Sequence, residues 1–265
     1  MSTPLVDSAL DSDPAAVRIR GLTAGYQGCP AVTGIDVDVE PGEVVILFGP
    51  SGCGKSTILR AVAGLLAPIA GTIEIDGIPI EGTSAERALV FQEDALLPWR
   101  SAQANVELAL ALRGVPRARR RTEASVLIER VGLAGFARHL PRQLSGGMRQ
   151  RVQLARTLAS RPRVMLMDEP FGALDAQTRA SMQALVLEVW SQYRTSVLFV
   201  THDVNEAVLL GDRICVLTSR PARLSAVVDV AKDADASAAV EQIELALAAA
   251  RAIEPSQSTS SSVGS

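Results

Sequence analysis

The segment GPSGCGKST at 49–57 constrains the fold of this chain more than any other stretch. It lies between the apolar run VVILF at 44–48 and the run STILRAVA at 56–63, whose apolar residues have helical spacing. Glycines at a strand-to-helix turn let the backbone curl and point successive N–H groups inward, and the following helix adds the positive end of its dipole. We therefore predict an α/β core in which this turn binds phosphate groups.

The residue types in this loop predict separate roles. Lys55 would contact the β and γ phosphates as a point charge, and the Ser56 hydroxyl would coordinate Mg²⁺. Only two of the 26 basic residues of the chain are lysines, so a lysine here suggests that a compact ammonium is needed. The alternative is a glycine-rich turn with an incidental lysine. The other loop residues predicted to bind the phosphates are Gly49, Ser51, Gly52, Cys53, Gly54 and Thr57.

The composition is that of a globular chain. It has 265 residues, of which 48% are hydrophobic and 21% charged, enough for one large or two modest cores. The net charge of −3 argues against general nucleic-acid binding, which requires a basic surface. The one basic cluster, RARRR at 117–121, is interpreted as the solvated start of a helix.

Cysteine usage and hydropathy predict the compartment. The three cysteines have neither metal-ligand nor disulfide spacing, which favours a reducing compartment. Cys53 could have a lowered thiol pKa at the helix N-terminus and be sensitive to oxidation, or it could be a small residue that simply fits. No apolar run reaches the roughly 18 residues of a membrane span, and the N-terminus is polar, so we expect a chain that is neither secreted nor membrane-spanning.

Strand and helix patterns alternate along most of the chain, which predicts a mostly parallel sheet with helical crossovers. Two alternating strands separated by a turn-rich segment at 21–30 predict an antiparallel layer ahead of that sheet, and a helical block at about 93–160 is expected as an inserted subdomain. We predict a disordered leader at 1–15, a folded domain that contains the phosphate-binding loop at 16–236, a helix at 237–253 and a disordered Ser-rich tail at 254–265.

Polar residues follow three of the apolar strands. They are Gln92, the pair Asp168 and Glu169, and His202. Ligands of open parallel sheets bind beyond the carboxyl ends of the strands, so these side chains should meet at the phosphates. Asp168 is placed to hold the Mg²⁺ shell, Glu169 to orient or deprotonate an attacking water, and His202 to contact the γ phosphate.

A second segment, LSGGMRQ at 144–150, has the same physical features as the first. It combines a hydroxyl, two glycines and a helix N-terminus, which together favour an anion. Taken alone, it could equally be a serine N-cap followed by a glycine hinge.

These motifs together resemble the nucleotide-binding subunit of ABC transporters. The phosphate loop, a glutamine after a strand, LSGGMRQ, DEP at 168–170, GALD at 172–175 and TH at 201–202 occur in that family's order, and the resemblance covers about residues 17–225. It implies an ABC ATPase with a P-loop NTPase core that hydrolyses ATP with Mg²⁺, with Gln92 among both the catalytic and the metal-binding residues. One departure is Met148, where many members of the family have glutamine.

The resemblance also implies a head-to-tail dimer. Ser145, Gly146 and Gly147 of one copy would complete the ATP site built by the phosphate loop of a second copy. Asp175 would lie at the dimer seam and link the two sites. Tyr26, 23 residues before Gly49, is similar to the aromatic residue that stacks on adenine in the family, although it could also be an ordinary turn tyrosine.

Three further segments resemble importers of taurine, aliphatic sulfonates and nitrate: residues 81–87, QEDALLPWR at 92–100 and TSRPAR at 218–223. The resemblance implies that a membrane permease docks near Leu97, Pro98 and Trp99, although Trp99 could instead be a local packing anchor. It also implies an external solute-binding protein and a peripheral location on the cytoplasmic face of the inner membrane. The expected solute is a small sulfonate such as taurine, with nitrate, another aliphatic sulfonate or a thiamine precursor as alternatives.

Two other classes of nucleotide-binding protein are alternatives. An ABC-type ATPase acting on DNA or ribosomes would need a long coiled-coil insert or tandem ATP domains, and the sequence has neither. A regulatory nucleotide switch would not need LSGGMRQ.

Overall fold

A computed structural model describes residues 13–91, 95–230 and 236–252 of the chain. Gln92, most of the predicted leader and the predicted tail lie outside these ranges. The described residues form two sheets, one of four strands and one of six, with helices packed around the larger sheet. The α/β architecture with an antiparallel N-terminal layer and a helical insertion is therefore confirmed.

The smaller sheet is antiparallel throughout, with strand order β2-β1-β4-β5. The predicted turn-rich segment at 21–30 is shorter than expected, because only Gln27 and Gly28 form the turn and the first two strands pair from Val17 with Val39 to Tyr26 with Cys29. Three register shifts accommodate the glycine-containing stretch as a bulged hairpin. The strands are β1 (Val17–Tyr26), β2 (Cys29–Val39), β4 (Ala70–Ile75) and β5 (Ile78–Pro79).

The larger sheet has strand order β10-β9-β3-β8-β7-β6, and every neighbouring pair is parallel except the last hairpin, β9 and β10. Sequence reasoning missed β10. It is an edge strand with one pairing partner and mostly half-exposed side chains, so its pattern is weak. The strands are β3 (Val44–Phe48), β6 (Arg87–Val90), β7 (Val164–Asp168), β8 (Ser196–Thr201), β9 (Arg213–Leu217) and β10 (Leu224–Asp229).

Four helices pack against the larger sheet: α1 (Lys55–Val62), α5 (Ala176–Tyr193), α6 (Val204–Leu210) and α7 (Ala236–Ala252). Three form the helical block: α2 (Ala102–Leu112), α3 (Arg117–Arg130) and α4 (Gly146–Ala159). Two short 3₁₀ turns, Ala134–Phe136 and Pro141–Gln143, connect α3 to α4.

The starts of α2 and α3 differ in their chemistry. Helix α2 begins after Ser101, which caps it by accepting a hydrogen bond from the Ala104 amide. The basic cluster at 117–121 forms the first turns of α3, as predicted, and within it Arg119 pairs with Glu123 at 2.9 Å.

The two faces of the larger sheet are covered by separate hydrophobic clusters. Alternate residues of β3 enter opposite clusters, as expected for a strand buried on both sides. Phe199 in β8 is fully buried, with its ring centroid 5.8 Å from that of Phe171 and 6.2 Å from that of Trp190. This packing fixes β8, the strand that carries His202 at its carboxyl end.

Replacing Phe199 with alanine should lower the free energy of unfolding by about 3–5 kcal/mol, because it leaves a cavity between two aromatic rings. Phe136→Ala is the control, since that ring is 41% exposed and its loss should cost about 1 kcal/mol or less. Urea denaturation measures both variants. Equal effects would contradict the assignment of Phe199 to the core that supports the site.

Candidate phosphate site at the carboxyl edge of the sheet

The loop at 49–54 joins β3 to α1 at the centre of the larger sheet, where β3 pairs with β8 on one side and β9 on the other. Gly54 precedes α1 with φ of 123°, and a Cβ atom there would lie 2.6 Å from Val32 Cγ1 and 2.9 Å from the Ala31 carbonyl oxygen. Glycine is required at this point because the loop packs directly against β2.

Lys55 is buried at the first turn of α1, with 4% of its surface exposed. Its ammonium donates to the carbonyl oxygens of Gly49 at 2.8 Å and Pro50 at 2.9 Å, and lies 3.8 Å from Glu169 Oε1. A buried ammonium is stable only when hydrogen-bonded, so these contacts hold the charge at the loop.

The Ser56 hydroxyl donates a hydrogen bond to Asp168 Oδ1, with an oxygen–oxygen distance of 2.8 Å. Burial raises the pKa of the Asp168 carboxyl, and the bond from Ser56 partly opposes that shift. A hydroxyl and a carboxylate are hard oxygen donors of the kind that Mg²⁺ prefers. The described residues contain no group of three or more His, Cys, Asp or Glu side chains that could enclose a metal. The pair therefore fits an ion that takes its remaining ligands from water and phosphate, as Mg²⁺ usually does.

Glu169 and His202 meet beside Lys55, as the sequence predicts. His202 Nδ1 lies 3.0 Å from Glu169 Oε2. The Glu169 backbone has φ of 43°, a left-handed conformation that costs about 1–2 kcal/mol for a residue with a side chain. A bond from its amide to the Val200 carbonyl at 3.1 Å holds it there. A cleft of about 50 Å³ lined by both side chains is large enough for a water molecule.

Gln92 lies outside the described residues, but both of its flanks are held by α4. Gln153 Nε2 donates to the Phe91 carbonyl at 3.2 Å, and Arg156 donates to the Ala95 carbonyl at 2.7 Å. Sequence reasoning missed both contacts, because they join residues more than 60 positions apart and neither side chain belongs to a motif.

The LSGGMRQ segment opens α4, and Ser145 caps the helix by accepting from the Met148 amide at 3.3 Å. Ser145 and Gly146 are exposed, whereas Gly147 is buried. Within the described ranges, no hydrogen bond or ion pair joins them to Lys55, Ser56 or Glu169 of the same chain. The segment is therefore a second surface site, separate from the phosphate loop of its own copy.

Asp175 lies beside this second site. It caps α5 by accepting from the amide and hydroxyl of Thr178 at 3.0 and 2.7 Å, and these bonds lower the pKa of its carboxyl. Thr178 also fills the space next to Gly147, since a Cβ there would lie 2.3 Å from Thr178 Cγ2. Asp175 is exposed, so the two motifs form one continuous surface patch.

Tyr26 ends β1 and is 43% exposed, and its hydroxyl accepts a 2.7 Å hydrogen bond from Arg60 at the last turn of α1. The contact of Arg60 with Tyr26 was not predicted from the sequence. Helical spacing places Arg60 on α1, but only the fold brings its side chain to Tyr26, which lies 34 positions earlier.

The remaining predicted residues are placed as follows. Cys53 is buried, and burial raises the pKa of its thiol, which argues against the oxidation-sensitive alternative. Trp99, in the predicted docking segment, is 72% exposed.

A larger, mainly apolar cavity of about 1270 Å³ lies against α5, α6 and α7. Trp190 and Leu209 are among its lining residues, whereas the phosphate loop does not line it. We therefore place the candidate site at the edge of the sheet where Lys55, Glu169 and His202 lie, and not in this larger space.

Comparison with known families gives a match to the family described as ABC transporter over residues 32–172. The chain is 49% identical over 208 residues to the taurine import ATP-binding protein TauB of Yersinia pestis, covering 78% of this chain and 82% of that protein. It is 48% identical over 217 residues to the protein of the same name from Chromobacterium violaceum, covering 82% and 81%.

Solved structures show the same fold. A dimeric post-hydrolysis state of the ATP-binding cassette MJ0796, bound to ADP and Pi, superposes with a TM-score of 0.71 at 31% identity, covering 81% of this chain and 99% of that one. The cbiO1 protein of Clostridium perfringens, part of the transporter complex cbiONQ, gives a TM-score of 0.73 at 25% identity, covering 80% and 88%.

Glu206 lines the same small cleft as His202 and is 6% exposed, and its carboxylate accepts from Gln183 Nε2 at 3.0 Å. Burial raises its pKa, although hydrogen bonds from Thr201 and Gln183 oppose the shift. The folded state therefore keeps the proton to a higher pH than the unfolded state does. Stability then falls as pH rises from the ordinary glutamate pKa of about 4.3 through the raised folded value.

Glu206→Gln removes this titration while keeping the size of the side chain. The variant should be more stable than the native protein at pH 7, and the difference should disappear below about pH 4, where both states are protonated. Urea denaturation between pH 4 and pH 8 measures it. Asp175→Asn is the control, because the lowered pKa of that carboxyl predicts no gain at pH 7. A difference that did not change with pH would contradict the assignment.

Proposed function

This chain belongs to the ABC transporter family, and we propose that it is the ATP-binding subunit of a taurine importer. The proposal of enzymatic activity rests on five side chains that lie together at one edge of the sheet: Lys55, Ser56, Asp168, Glu169 and His202. The chain is an ATP hydrolase whose activity is coupled to transport. Taurine is supported by relatives named taurine import ATP-binding proteins, which are 46–49% identical over about four-fifths of the chain.

The nucleotide would lie between Tyr26 and the phosphate loop. The exposed ring of Tyr26 offers a face for the adenine base, worth about 1 kcal/mol beyond burial of its area. Gly49, Ser51, Gly52, Cys53, Gly54 and Thr57 would direct loop amides at the phosphates, and Lys55 would exchange its two carbonyl partners for phosphate oxygens. Ser56, Asp168 and Gln92 would hold Mg²⁺, which when bound neutralises charge on the phosphate oxygens.

The pair Glu169 and His202 would carry out the hydrolytic step. Glu169 Oε2 and His202 Nδ1 are 3.0 Å apart beside a cleft that admits a water, so the carboxylate can orient the water and accept its proton. The Nδ1–H of His202 would donate to that carboxylate, and the ring so held would contact the γ phosphate. Lys55 Nζ lies 3.8 Å from Glu169 Oε1, so the ammonium holds this carboxylate next to the phosphate loop.

A second copy of the chain would complete the site. The patch of Ser145, Gly146, Gly147 and Asp175 contacts neither Lys55 nor Glu169 of its own copy and carries the positive end of α4. In a head-to-tail dimer it would cover the phosphates bound by the other copy. A dimeric ATP-binding cassette with the same fold supports this arrangement.

The subunit would be held at the membrane by a permease. None of the described helices is long and apolar enough to cross a bilayer. Leu97, Pro98 and Trp99 lie five to seven positions after Gln92, so docking there would connect the ATP site to the permease. We place the subunit on the cytoplasmic face of the inner membrane, in a system with an external solute-binding protein and without nucleic acid.

Glu169→Gln should bind ATP and form a stable dimer but hydrolyse it about 100-fold or more slowly, because the amide cannot accept the proton of the attacking water. Phosphate release and gel filtration with MgATP measure the two effects. Glu129→Gln, on the exposed surface of α3, is the matched control and should behave as native. Normal phosphate release by Glu169→Gln would contradict the role of Glu169.

Uptake of labelled taurine tests the transported solute. Source cells deleted for this chain and complemented with the native form should take up taurine, whereas cells complemented with Glu169→Gln should not. Labelled nitrate and a longer aliphatic sulfonate are measured in parallel. Uptake of one of these without taurine, by a chain that hydrolyses ATP, would keep the ATPase and reject taurine as the solute.

A further inference from the structure

We propose that Asn105 is a positioning residue that shapes the docking segment, defined as residues 95–101, and so presents Trp99 to the permease. The inference rests on the proposed function, because it assumes that this segment binds the permease. It adds a residue on α2 that belongs to none of the sequence motifs.

Asn105 is fully buried, and its amide is surrounded by the backbone of the docking segment. Its Oδ1 accepts from the Leu97 amide at 2.9 Å. Its Nδ2 lies 3.3 Å from the Leu97 carbonyl oxygen and 3.1 Å from those of Arg100 and Ser101. A further backbone bond from Arg100 to the Leu97 carbonyl at 3.0 Å closes the turn around this side chain.

Only an amide can make this set of contacts. The segment offers one N–H and three carbonyl oxygens, so the side chain must both accept and donate. An aspartate would lack the donors, and a leucine would leave the Leu97 amide and the Arg100 carbonyl without their side-chain partner. Next to Asn105, Val106 and Leu110 of the same helix are fully buried, so a polar residue here is an exception within an apolar face.

The docking segment is held at both ends, and its centre is exposed. Leu96 is 7% exposed, and the carbonyl of Ala95 accepts from Arg156 at 2.7 Å. Ser101 begins α2 as its cap. Between these anchors Trp99 is 72% exposed. A rigidly held aromatic side chain binds a partner with less loss of conformational entropy than a mobile one. Asn105 would therefore act on docking through Trp99.

The first experiment is a double-mutant cycle on affinity for permease-containing vesicles that have been stripped of their own ATP-binding subunits. Asn105→Ala should weaken binding about tenfold when Trp99 is present and less than twofold in a Trp99→Ala background. Basal ATPase of the isolated subunit should stay native in both. Gln103→Ala is the matched control, because that amide on the same helix contacts Glu107 and the Arg121 carbonyl and not the docking segment.

The second experiment follows Trp99 directly. The chain has two tryptophans, so Trp190→Phe leaves Trp99 as the only one. In that background, Asn105→Ala and the isosteric Asn105→Asp should both increase the nanosecond mobility of Trp99 in time-resolved anisotropy, with unchanged circular dichroism. The aspartate variant covers the case in which the alanine variant fails to fold.

The outcomes separate the two proposals. Unchanged affinity of Trp99→Ala, with normal ATP hydrolysis, would reject the docking site proposed above and this inference with it. Weakened binding by Trp99→Ala, with Asn105 variants that bind normally and leave Trp99 mobility unchanged, would reject only the role of Asn105. Equal effects of Asn105→Ala with and without Trp99 would also reject it, because they would indicate a general structural role.

Discussion

The buried ammonium of Lys55 is the interaction on which the rest of the site depends. It bonds to two carbonyls of its own loop and lies near Glu169, so it fixes the loop and orders the neighbouring carboxylate at the same time. An unpaired charge at this depth would be strongly destabilising, so the loop must stay closed around it when no phosphate is present. Phosphate oxygens can then replace the two carbonyls without a large change in the protein.

The sheet brings residues from separate stretches of the sequence together in one site. Because β3, β8 and β7 are adjacent and parallel, residues from positions 55, 169 and 202 reach the same edge. The sequence alone predicted this constellation well, since each polar residue directly follows an apolar strand and parallel strands end at one edge. The segment LSGGMRQ at 144–150 is recognisable from its hydroxyl and glycines, and its binding of phosphate stays a prediction.

What could not be predicted depends on contacts between distant residues. The hairpin of β1 and β2 continues through a glycine-containing stretch because pairing with bulges outweighs local turn preference. Strand β10 is stabilised by antiparallel pairing with β9, which its own weak sequence pattern does not indicate. Arg60, Gln153, Arg156 and Asn105 have no signature, because an ordinary polar residue on a helix is normally solvent-exposed. Only the fold shows that each one bonds to a segment far away or to a buried turn.

The contact between Gly147 and Thr178 limits which residue can occupy position 147. Thr178 bonds to Asp175 and at the same time fills the space beside Gly147, so the start of α4 packs closely against the start of α5. A side chain at position 147 would displace Thr178 and disturb its bonds to Asp175. The missing side chain of one glycine therefore sets how closely the helical block approaches a helix that covers the sheet.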